Sequence, residues 1–247
     1  MRTLVLLVLL SCAMSAHARF VVQKTKLESD QYTELSASLK EQHVLQGVAT
    51  ELNKTIDTPT KVSLRFAECG EANSFYDPTT QVVTMCLELI ESAYESVRAK
   101  HQTAEQLDDA AASVFVFFLF HEIGHALIHV LDIPITGKEE DAADQLSAWL
   151  LIDDEDGDKT ALDAATSFYF DSQADGDADE TAFADEHSLN KQRYFNILCW
   201  VYGSNPDAHA DLVSDDELPE ARAEQCAGEY QRLDKSWRTL LSEHIKK

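Results

Sequence analysis

A long apolar run of the chain leads directly into a polar motif, and together they read Val114-Phe115-Val116-Phe117-Phe118-Leu119-Phe120-His121-Glu122-Ile123-Gly124-His125. A helix that is apolar on all sides is typical of the centre of a domain, so we expect a buried helix here. The apolar part, residues 110–120, is too short to span a membrane. The sequence therefore predicts polar chemistry at the end of a core helix, where side chains can be held rigidly.

The polar motif has the spacing of a metal site. His121 and His125 lie one turn apart on the same face of a helix and can bind one ion together. Glu122 lies beside them, where its carboxylate can take a proton from a metal-bound water. Glu140 offers a third ligand, and Asp144, one turn after it, can accept a hydrogen bond from the spare ring nitrogen of a ligand histidine. This set predicts a Zn²⁺ site with hydrolytic chemistry.

The segment between the two halves of this site predicts how they meet. We expect residues 132–135 to form a turn and the next helix to begin with a capping box, with Thr136 as N-cap and Glu139 as the third helical residue. Glu139 would then serve the helix end and leave Glu140 free to face His125 across an antiparallel helix pair. His125 and Glu140 each lie within about 10 Å of the turn along their own helices, so their side chains can meet.

His129 continues the four-residue series of histidines but is not a candidate ligand. It would lie about 12 Å along the helix axis from His121, and one ion cannot bind residues spread over two turns of a straight helix. We expect His129 to pack or to form a hydrogen bond.

The charge of the chain narrows its partners. Its 20 basic and 44 acidic residues leave a formal net charge of −24, which repels nucleic-acid phosphates and anionic membranes. We therefore expect no nucleic-acid partner, and we expect no membrane span because the apolar run at residues 110–120 is too short. An acidic surface also favours solubility or a cationic substrate, and the sign of the charge alone does not choose between these two.

Residues 1–18 have the pattern of a secretory signal peptide. A positive start, an apolar run at residues 4–10 and the cleavage pattern Ala16-His17-Ala18 predict that the mature chain begins near Arg19. Leu9-Leu10-Ser11-Cys12 also resembles a lipobox, which leaves a lipid anchor at Cys12 as an alternative. Both interpretations predict an exported protein, periplasmic or secreted, with residues 19–247 forming a single domain.

Four cysteines remain once the signal peptide is removed, and an exported protein favours disulfides between them. Three pairings are possible, and sequence order favours Cys69–Cys86 and Cys199–Cys226. Four free buried thiols are the alternative.

Apolar spacing predicts an α+β, predominantly helical fold. Residues 28–54 have helical periodicity, residues 62–66 alternate like a half-buried strand, and a turn at residues 77–80 separates strand segments at 74–76 and 81–86. We expect a small antiparallel sheet, followed by helices beyond residue 87. Residues 153–186 are rich in acid but do not have the spacing of an EF-hand, which favours a solvated acidic loop over a calcium site.

Hydrolysis through a zinc-activated water develops an oxyanion, which usually needs a second donor besides the metal. His187, Arg193 and Tyr202 are candidates, and His187 is the one we favour as a catalytic residue. The alternative for His187 is a surface or capping role near Asp185. The alternative for Arg193 is an ion pair with the acidic stretch at residues 153–186, which is the commoner role of an arginine in such a chain. Backbone groups of residues 74–76 can bind an extended peptide by strand addition.

The metal motif resembles that of the gluzincin zinc peptidases, in which HExxH is followed by an ExxAD element, here Glu140-Asp141-Ala142-Ala143-Asp144. The chain is more closely similar to a bacterial family of exported metallopeptidases. This similarity spans most of the mature chain and includes the segments at residues 68–78, 120–125, 139–145, 185–189, 192–193 and 199–206 and the region around Cys226. The resemblance implies one zincin-like metallopeptidase domain with a buried active-site helix and bound zinc, acting on a peptide or protein substrate. It also supports the two disulfide pairs given above.

Two other functions fit the same residues. A non-catalytic envelope protein would use the metal as a structural support for binding a partner. A purely structural site, however, would not need Glu122 and would usually close its fourth position with protein. An amidase acting on cell-wall cross-links would apply the same chemistry to a different substrate.

Overall fold

The computed structural model describes residues 19–100, 103–152, 156–174, 179–215 and 217–246. Residues 1–18 lie outside the described residues, and with them the expected signal peptide and Cys12. The described chain is mostly helical and carries one small sheet, which confirms the α+β, predominantly helical class.

The secondary-structure elements follow one another in the order β1, α1, α2, β2, β3, β4 and then helices. The strands are β1 (Phe20–Val22), β2 (Val62–Ala67), β3 (Ser74–Asp77) and β4 (Val82–Cys86). The helices are α1 (Thr33–Glu41), α2 (Val44–Thr55), α3 (Leu87–Val97), α4 (Ala104–Val130), α5 (Glu139–Ile152), α6 (Gly157–Ala174), α7 (Glu180–Ala184), α8 (Asn190–Ser204) and α9 (Glu220–Leu240), with a 3₁₀ turn at Ala210–Leu212.

The sheet has the strand order β1-β2-β4-β3 and is mixed. β3 and β4 form the predicted antiparallel hairpin, but β1 pairs with β2 and β2 with β4 in parallel. The expectation of an antiparallel sheet is therefore wrong for two of the three pairings. The reason is that α1 and α2 form a long crossover between β1 and β2, which parallel pairing requires. The hairpin then turns β4 back beside β2, where every β2 residue except Arg65 is buried.

The helix predicted for residues 28–54 is divided into α1 and α2. His43, between them, adopts a left-handed backbone with φ of 55°, which ends one helix and redirects the chain. α2 buries Leu45, Ala49 and Leu52, whereas α1 has no fully buried residue. The break therefore allows α2 to face the core while α1 stays at the surface.

α4 is the central helix of the described chain. It has 27 residues, begins with a capping box between Thr103 and Gln106, and packs against α3, α5, α6, β3 and β4. Among the described helices it alone has the length and hydropathy of a membrane span, yet 72% of its most apolar window is buried inside the protein. This burial identifies α4 as a core helix, as the sequence predicts.

Both predicted disulfides are present. Cys69–Cys86 joins the chain after β2 to the end of β4, and Cys199–Cys226 joins α8 to α9. Two disulfides of this kind indicate folding in an oxidising environment, such as that of exported proteins.

Candidate metal centre

Three side chains that suit a metal ion converge where α4 and α5 cross. His121 and His125 come from α4, and their Nε2 atoms lie 3.2 Å apart. After α4, Asp132 adopts a left-handed backbone with φ of 52°, and α5 then runs back along α4. The first turn of α5 carries Glu140, whose Oε2 lies 3.0 Å from Nε2 of His121 and 3.2 Å from Nε2 of His125. The sequence-predicted ligand set is therefore brought together.

The distances among these three atoms fit a tetrahedral metal ion. Ligand atoms that are each about 2.0–2.1 Å from a tetrahedral zinc lie about 3.3 Å from one another, and the observed separations of 3.0–3.2 Å are close to that value. Two imidazole nitrogens and one carboxylate oxygen are also the donors that zinc favours. The residues present therefore fit the ion that the sequence motif implies.

Each histidine of the set has a carboxylate on its other ring nitrogen. Nδ1 of His121 lies 2.8 Å from Oδ1 of Asp144, which is the contact that the spacing predicts. Nδ1 of His125 lies 2.8 Å from Oε1 of Glu139, which the sequence reasoning missed. Such partners fix the ring orientation and direct the Nε2 lone pair toward a metal.

The capping box expected at Thr136 is absent because α5 begins only at Glu139. Glu139 is therefore the first helical residue and not the third, so its carboxylate points toward α4 and His125 instead of back toward the helix start. Glu139 could have been identified as the partner of His125 from the sequence, because both ligand histidines need a carboxylate on their second ring nitrogen.

Arg193 does not act as the sequence predicts. It lies on α8, buried, and donates from Nε and Nη2 to the two carboxylate oxygens of Asp144 at 2.7 Å each. Its guanidinium also lies 3.9 Å from the ring centre of Phe168. Arg193 therefore neither pairs with the acidic stretch nor reaches an oxyanion; it holds Asp144 against His121. Tyr202 lies about 13 Å further along α8 and packs on the core.

Glu122 is buried beside the cluster and is held by the edge strand of the sheet. Ser74, the first residue of β3, donates from Oγ to Oε1 of Glu122 at 2.9 Å. This hydrogen bond links the carboxylate to the strand on which residues 74–76 lie. One carboxylate oxygen is thus oriented by the protein.

His187 lies at the mouth of the cluster, in the loop before α8. Its Nε2 is 3.0 Å from Oε2 of Glu140, its Nδ1 is 3.0 Å from Oδ1 of Asp185, and its side chain is 43% exposed. The hydrogen bond with Glu140 is the largest of the effects that raise its pKa. Lys138 donates to the backbone carbonyls of Asp185 and His187 at 3.0 Å each and so anchors the loop to the start of α5.

The cluster is electrostatically coupled. Burial lowers the pKa of His125, but hydrogen bonds with Glu140 and Glu139 outweigh burial and raise the pKa to about 9. Burial also opposes protonation of His121, and Asp144 is the first of the partners that raise its pKa nevertheless. The pKa of Glu140 is held well below its usual range, because bonds with histidines outweigh its burial. A divalent cation that binds here must displace these protons, so its affinity falls as the pH falls.

The remaining predicted residues have local roles. Nδ1 of His129 lies 2.8 Å from the hydroxyl of Tyr76, so His129 forms a hydrogen bond away from the metal set, as expected. Within the acidic stretch, residues 153–155 and 175–178 lie outside the described residues. Of the acids that are described, Asp179 accepts from the backbone at the start of α7, and Asp185 orients His187.

The comparisons with known proteins agree with the geometry of this site. Residues 25–241 match the DUF4344 family, whose description reads "Putative metallopeptidase". No curated protein and no solved structure matches the chain.

Proposed function

The chain belongs to this family of metallopeptidases, and on that premise we propose that it is a zinc-dependent peptidase that cleaves peptide bonds with an activated water. The observation that supports this most directly is the set of three ligand atoms. Nε2 of His121, Nε2 of His125 and Oε2 of Glu140 lie 3.0–3.2 Å apart, beside the buried carboxylate of Glu122.

His121, His125 and Glu140 would hold the ion. Three protein ligands are typical of catalytic zinc, because the fourth position must accept water or substrate. When bound, zinc supplies a Lewis acid that polarises the scissile carbonyl and lowers the pKa of water. Glu122 acts as general base: it takes the proton of the attacking water and returns it to the leaving amine. The hydrogen bond from Ser74 orients Oε1 of Glu122 and leaves Oε2 for the proton.

His187 is suited to stabilise the oxyanion. Its Nε2 lies 3.0 Å from Oε2 of Glu140, and this hydrogen bond raises the pKa of His187 above its usual value. A donor aimed at the oxygen on which charge develops contributes more than one that only binds the ground state. Asp185 and Lys138 hold the loop that presents it.

The edge strand offers a place for the peptide. β3 is at the end of the strand order, and among the described strands it pairs only with β4. An extended peptide can pair with its outer edge through backbone hydrogen bonds. Because Ser74 of β3 contacts Glu122, a peptide on this edge would pass the general base.

The compartment we propose is the periplasm or the outside of the cell. The two disulfides support export, since such bonds are rare in reducing compartments. N-terminal sequencing of the protein recovered from the cell envelope or medium tests cleavage after Ala18, and a start at an acylated Cys12 would replace the soluble form with a lipoprotein.

Elemental analysis of the purified mature protein, together with peptide hydrolysis, tests the proposed function. We expect about one zinc per chain in the wild type and much less in Glu140→Ala. Glu122→Gln should keep its zinc and lose turnover, whereas His121→Ala should lose both. Full activity of Glu122→Gln against a genuine substrate would contradict the mechanism, and absence of bound metal after zinc is offered would favour a binding protein. Hydrolysis of cell-wall cross-links without hydrolysis of peptides would indicate an amidase.

His187→Ala distinguishes a catalytic site from a structural one. If His187 stabilises the oxyanion, the variant keeps its zinc and loses about 10²–10³ in kcat. If His187 closes the metal site as a fourth ligand, the variant loses zinc affinity, which is the behaviour of a structural centre. His129→Ala is a matched control, because His129 contacts Tyr76 and lies outside the metal set.

A further inference from the structure

A groove with a volume of about 510 Å³ lies between α1 and the β1 edge of the sheet. β1 and β3 are the two ends of the strand order, so the groove is about 14 Å from β3 at about 4.8 Å per strand. Pockets that hold a ligand typically have about 300–1,000 Å³. The apolar side chains of the lining are Val22, Leu39, Leu45 and Phe66. Leu45 and Phe66 are buried in the core, so the fold sets the shape of this floor.

The charged side chains of the groove are all positive. Among the described residues that line it, only Lys24, after β1, and Lys40, in the last turn of α1, carry a charge. Both are exposed, and neither ammonium group has a hydrogen-bond or ion-pair partner in the described part of the chain. The acids of α1, Glu34 and Glu41, lie on the other side of the helix from Ser36, which lines the groove, because successive helical residues are about 100° apart.

The backbone of β1 adds hydrogen-bonding groups to the same groove. At the outer edge of β1, the N–H of Phe20 donates to Oδ1 of Asn53 at 3.0 Å and its carbonyl accepts from Nδ2 at 2.7 Å. Gln23 instead donates toward β2, to the carbonyl of Leu64. The backbone groups of alternate residues point to the same edge, so those of Val22 point outward like those of Phe20. No described residue pairs with them.

We propose that this groove binds an extended peptide segment that carries an acidic side chain two residues from an apolar one. The peptide pairs with the backbone of Val22 as an added strand. Its apolar side chain packs on the floor, and its carboxylate, which only accepts hydrogen bonds, lies between Lys24 and Lys40. Side chains two residues apart in an extended chain face the same side, so both enter the groove. The groove shares no residue with the metal cluster, so this inference goes beyond the proposed hydrolysis and does not depend on it.

The local charge permits an acidic ligand although the whole chain is strongly acidic. Residues 19–67 contain seven basic and six acidic residues, a net charge of +1, whereas the chain as a whole has −24. Charges more than about 8–10 Å away are largely screened at physiological ionic strength. A fatty acid or another anionic amphiphile would also match the floor and the lysines, but it would leave the backbone of Val22 unpaired. The open strand edge therefore favours a peptide.

Titration of the ¹⁵N-labelled chain that begins at Arg19 tests the proposal. The probe is the peptide Thr-Leu-Thr-Glu-Thr, blocked at both ends. We expect amide shift changes at residues 22–25 and 36–46, with and without zinc. Glutamine in place of the glutamate should raise Kd about fivefold, and alanine in place of the leucine about tenfold. Methylation of the leucine backbone nitrogen should raise Kd about fivefold, because it removes a donor to the strand edge.

A variant of the groove separates its two lysines from general attraction. Lys24→Gln combined with Lys40→Gln should raise Kd for the glutamate probe about fivefold and leave the glutamine probe nearly unchanged. Lys61→Gln is the control, because Lys61 is exposed in the same part of the chain and does not line the groove. All three lysines are exposed, so the variants should unfold at the wild-type Tm.

Each alternative result overturns a stated part of the proposal. Equal Kd for the glutamate and glutamine probes, or an unchanged Kd in the double variant, excludes the lysines as counter-charges. Equal affinity of the N-methylated probe excludes pairing with β1. Shift changes confined to β3, or none at probe concentrations up to about 5 mM, exclude the groove as a peptide site. Binding of dodecanoate in the groove without binding of the probe replaces the peptide with an anionic amphiphile.

Discussion

Asp144→Asn removes one charge from the centre of the site while keeping the shape of the side chain. The carboxylate lies 2.8 Å from Nδ1 of His121 and accepts two hydrogen bonds from Arg193 at 2.7 Å each. Asp144 is 3% exposed and Arg193 is 7% exposed, so water cannot replace the lost charge. The variant therefore leaves a buried guanidinium without its counter-charge.

The expected loss of stability follows from this burial. Removing one partner of a buried ion pair costs about 3–5 kcal/mol, and we take about 3 kcal/mol because the amide oxygen can still accept one hydrogen bond. At about 2–4 °C per kcal/mol for a chain of this size, Tm should fall by about 6–12 °C. Asp144 also orients His121, so zinc affinity should fall by about 10–100-fold.

The two effects are measured separately. Thermal unfolding in a chelating buffer reports the stability of the metal-free protein, and competition with a chelator of known affinity reports the Kd for zinc. Glu139→Gln is the control: Glu139 contacts His125 in the same way but is 52% exposed and has no buried arginine beside it. Its metal-free stability should change by less than about 1 kcal/mol.

The pH dependence provides a further check on the same residue. Burial raises the pKa of Asp144, but Arg193 and His121 outweigh burial and lower it below its usual range. A lowered folded-state pKa contributes stability that is present above the unfolded pKa of about 3.9 and is lost as the pH falls below it. The stability difference between wild type and Asp144→Asn should therefore narrow in acid. Equal metal-free stability of the two proteins at pH 7 would refute the reasoning.

Three further predictions concern helix packing and the metal. Gly203→Ala should destabilise the protein by about 3 kcal/mol or more in urea unfolding, because a Cβ would lie 2.3 Å from the backbone oxygen of Cys226. The control is Gly47→Ala, which should be neutral or stabilising because its Cβ would have no atom within 4 Å. Equal effects of the two substitutions on stability would contradict the close packing of α8 on α9. Gly124→Ala would place a Cβ 3.2 Å from Cα of Ala143, which shifts α5 and should lower zinc affinity by roughly tenfold in the chelator assay; unchanged affinity would contradict the dependence of the site on this crossing. In wild-type protein with free zinc at about 1,000 times the Kd for zinc, binding contributes about 4 kcal/mol of stability, so removal of the zinc should lower Tm by about 8–16 °C. An identical Tm with and without a chelator would exclude a site of that affinity in the folded protein.

Local patterns were sufficient for much of the fold and for the metal set. The apolar run before His121 predicts a buried helix, and the four-residue spacing to His125 places both rings on one face whatever surrounds them. The turn at residues 77–80 predicts the β3–β4 hairpin for the same reason, since its pairing depends on neighbouring residues. Spacing along α5 also predicted that Asp144 contacts a ligand histidine, and the structure shows that this histidine is His121.

Local patterns failed where alternative helix ends were equally compatible with the sequence. Thr136 and Glu139 have the spacing of a capping box, yet α5 begins only at Glu139, and the carboxylate of Glu139 contacts His125 on the neighbouring helix. His43 interrupts a stretch with continuous helical periodicity, and the interruption allows α2 to pack on the sheet. In both cases the helix end comes with a contact to another element, and such a contact has no signature in the local sequence.

The sequence by itself determined the residue types and the local periodicities: a core helix, two histidines on one face, a hairpin and four cysteines after residue 18. Only the tertiary structure decided the parallel pairing of β1, β2 and β4, the ion pair of Arg193 with Asp144, and the hydrogen bond of Ser74 with Glu122. Arg193 and Asp144 are 49 residues apart, and Ser74 and Glu122 are 48 residues apart. Contacts across such separations depend on how the helices pack against one another, whereas spacing within one helix or hairpin depends on backbone geometry alone.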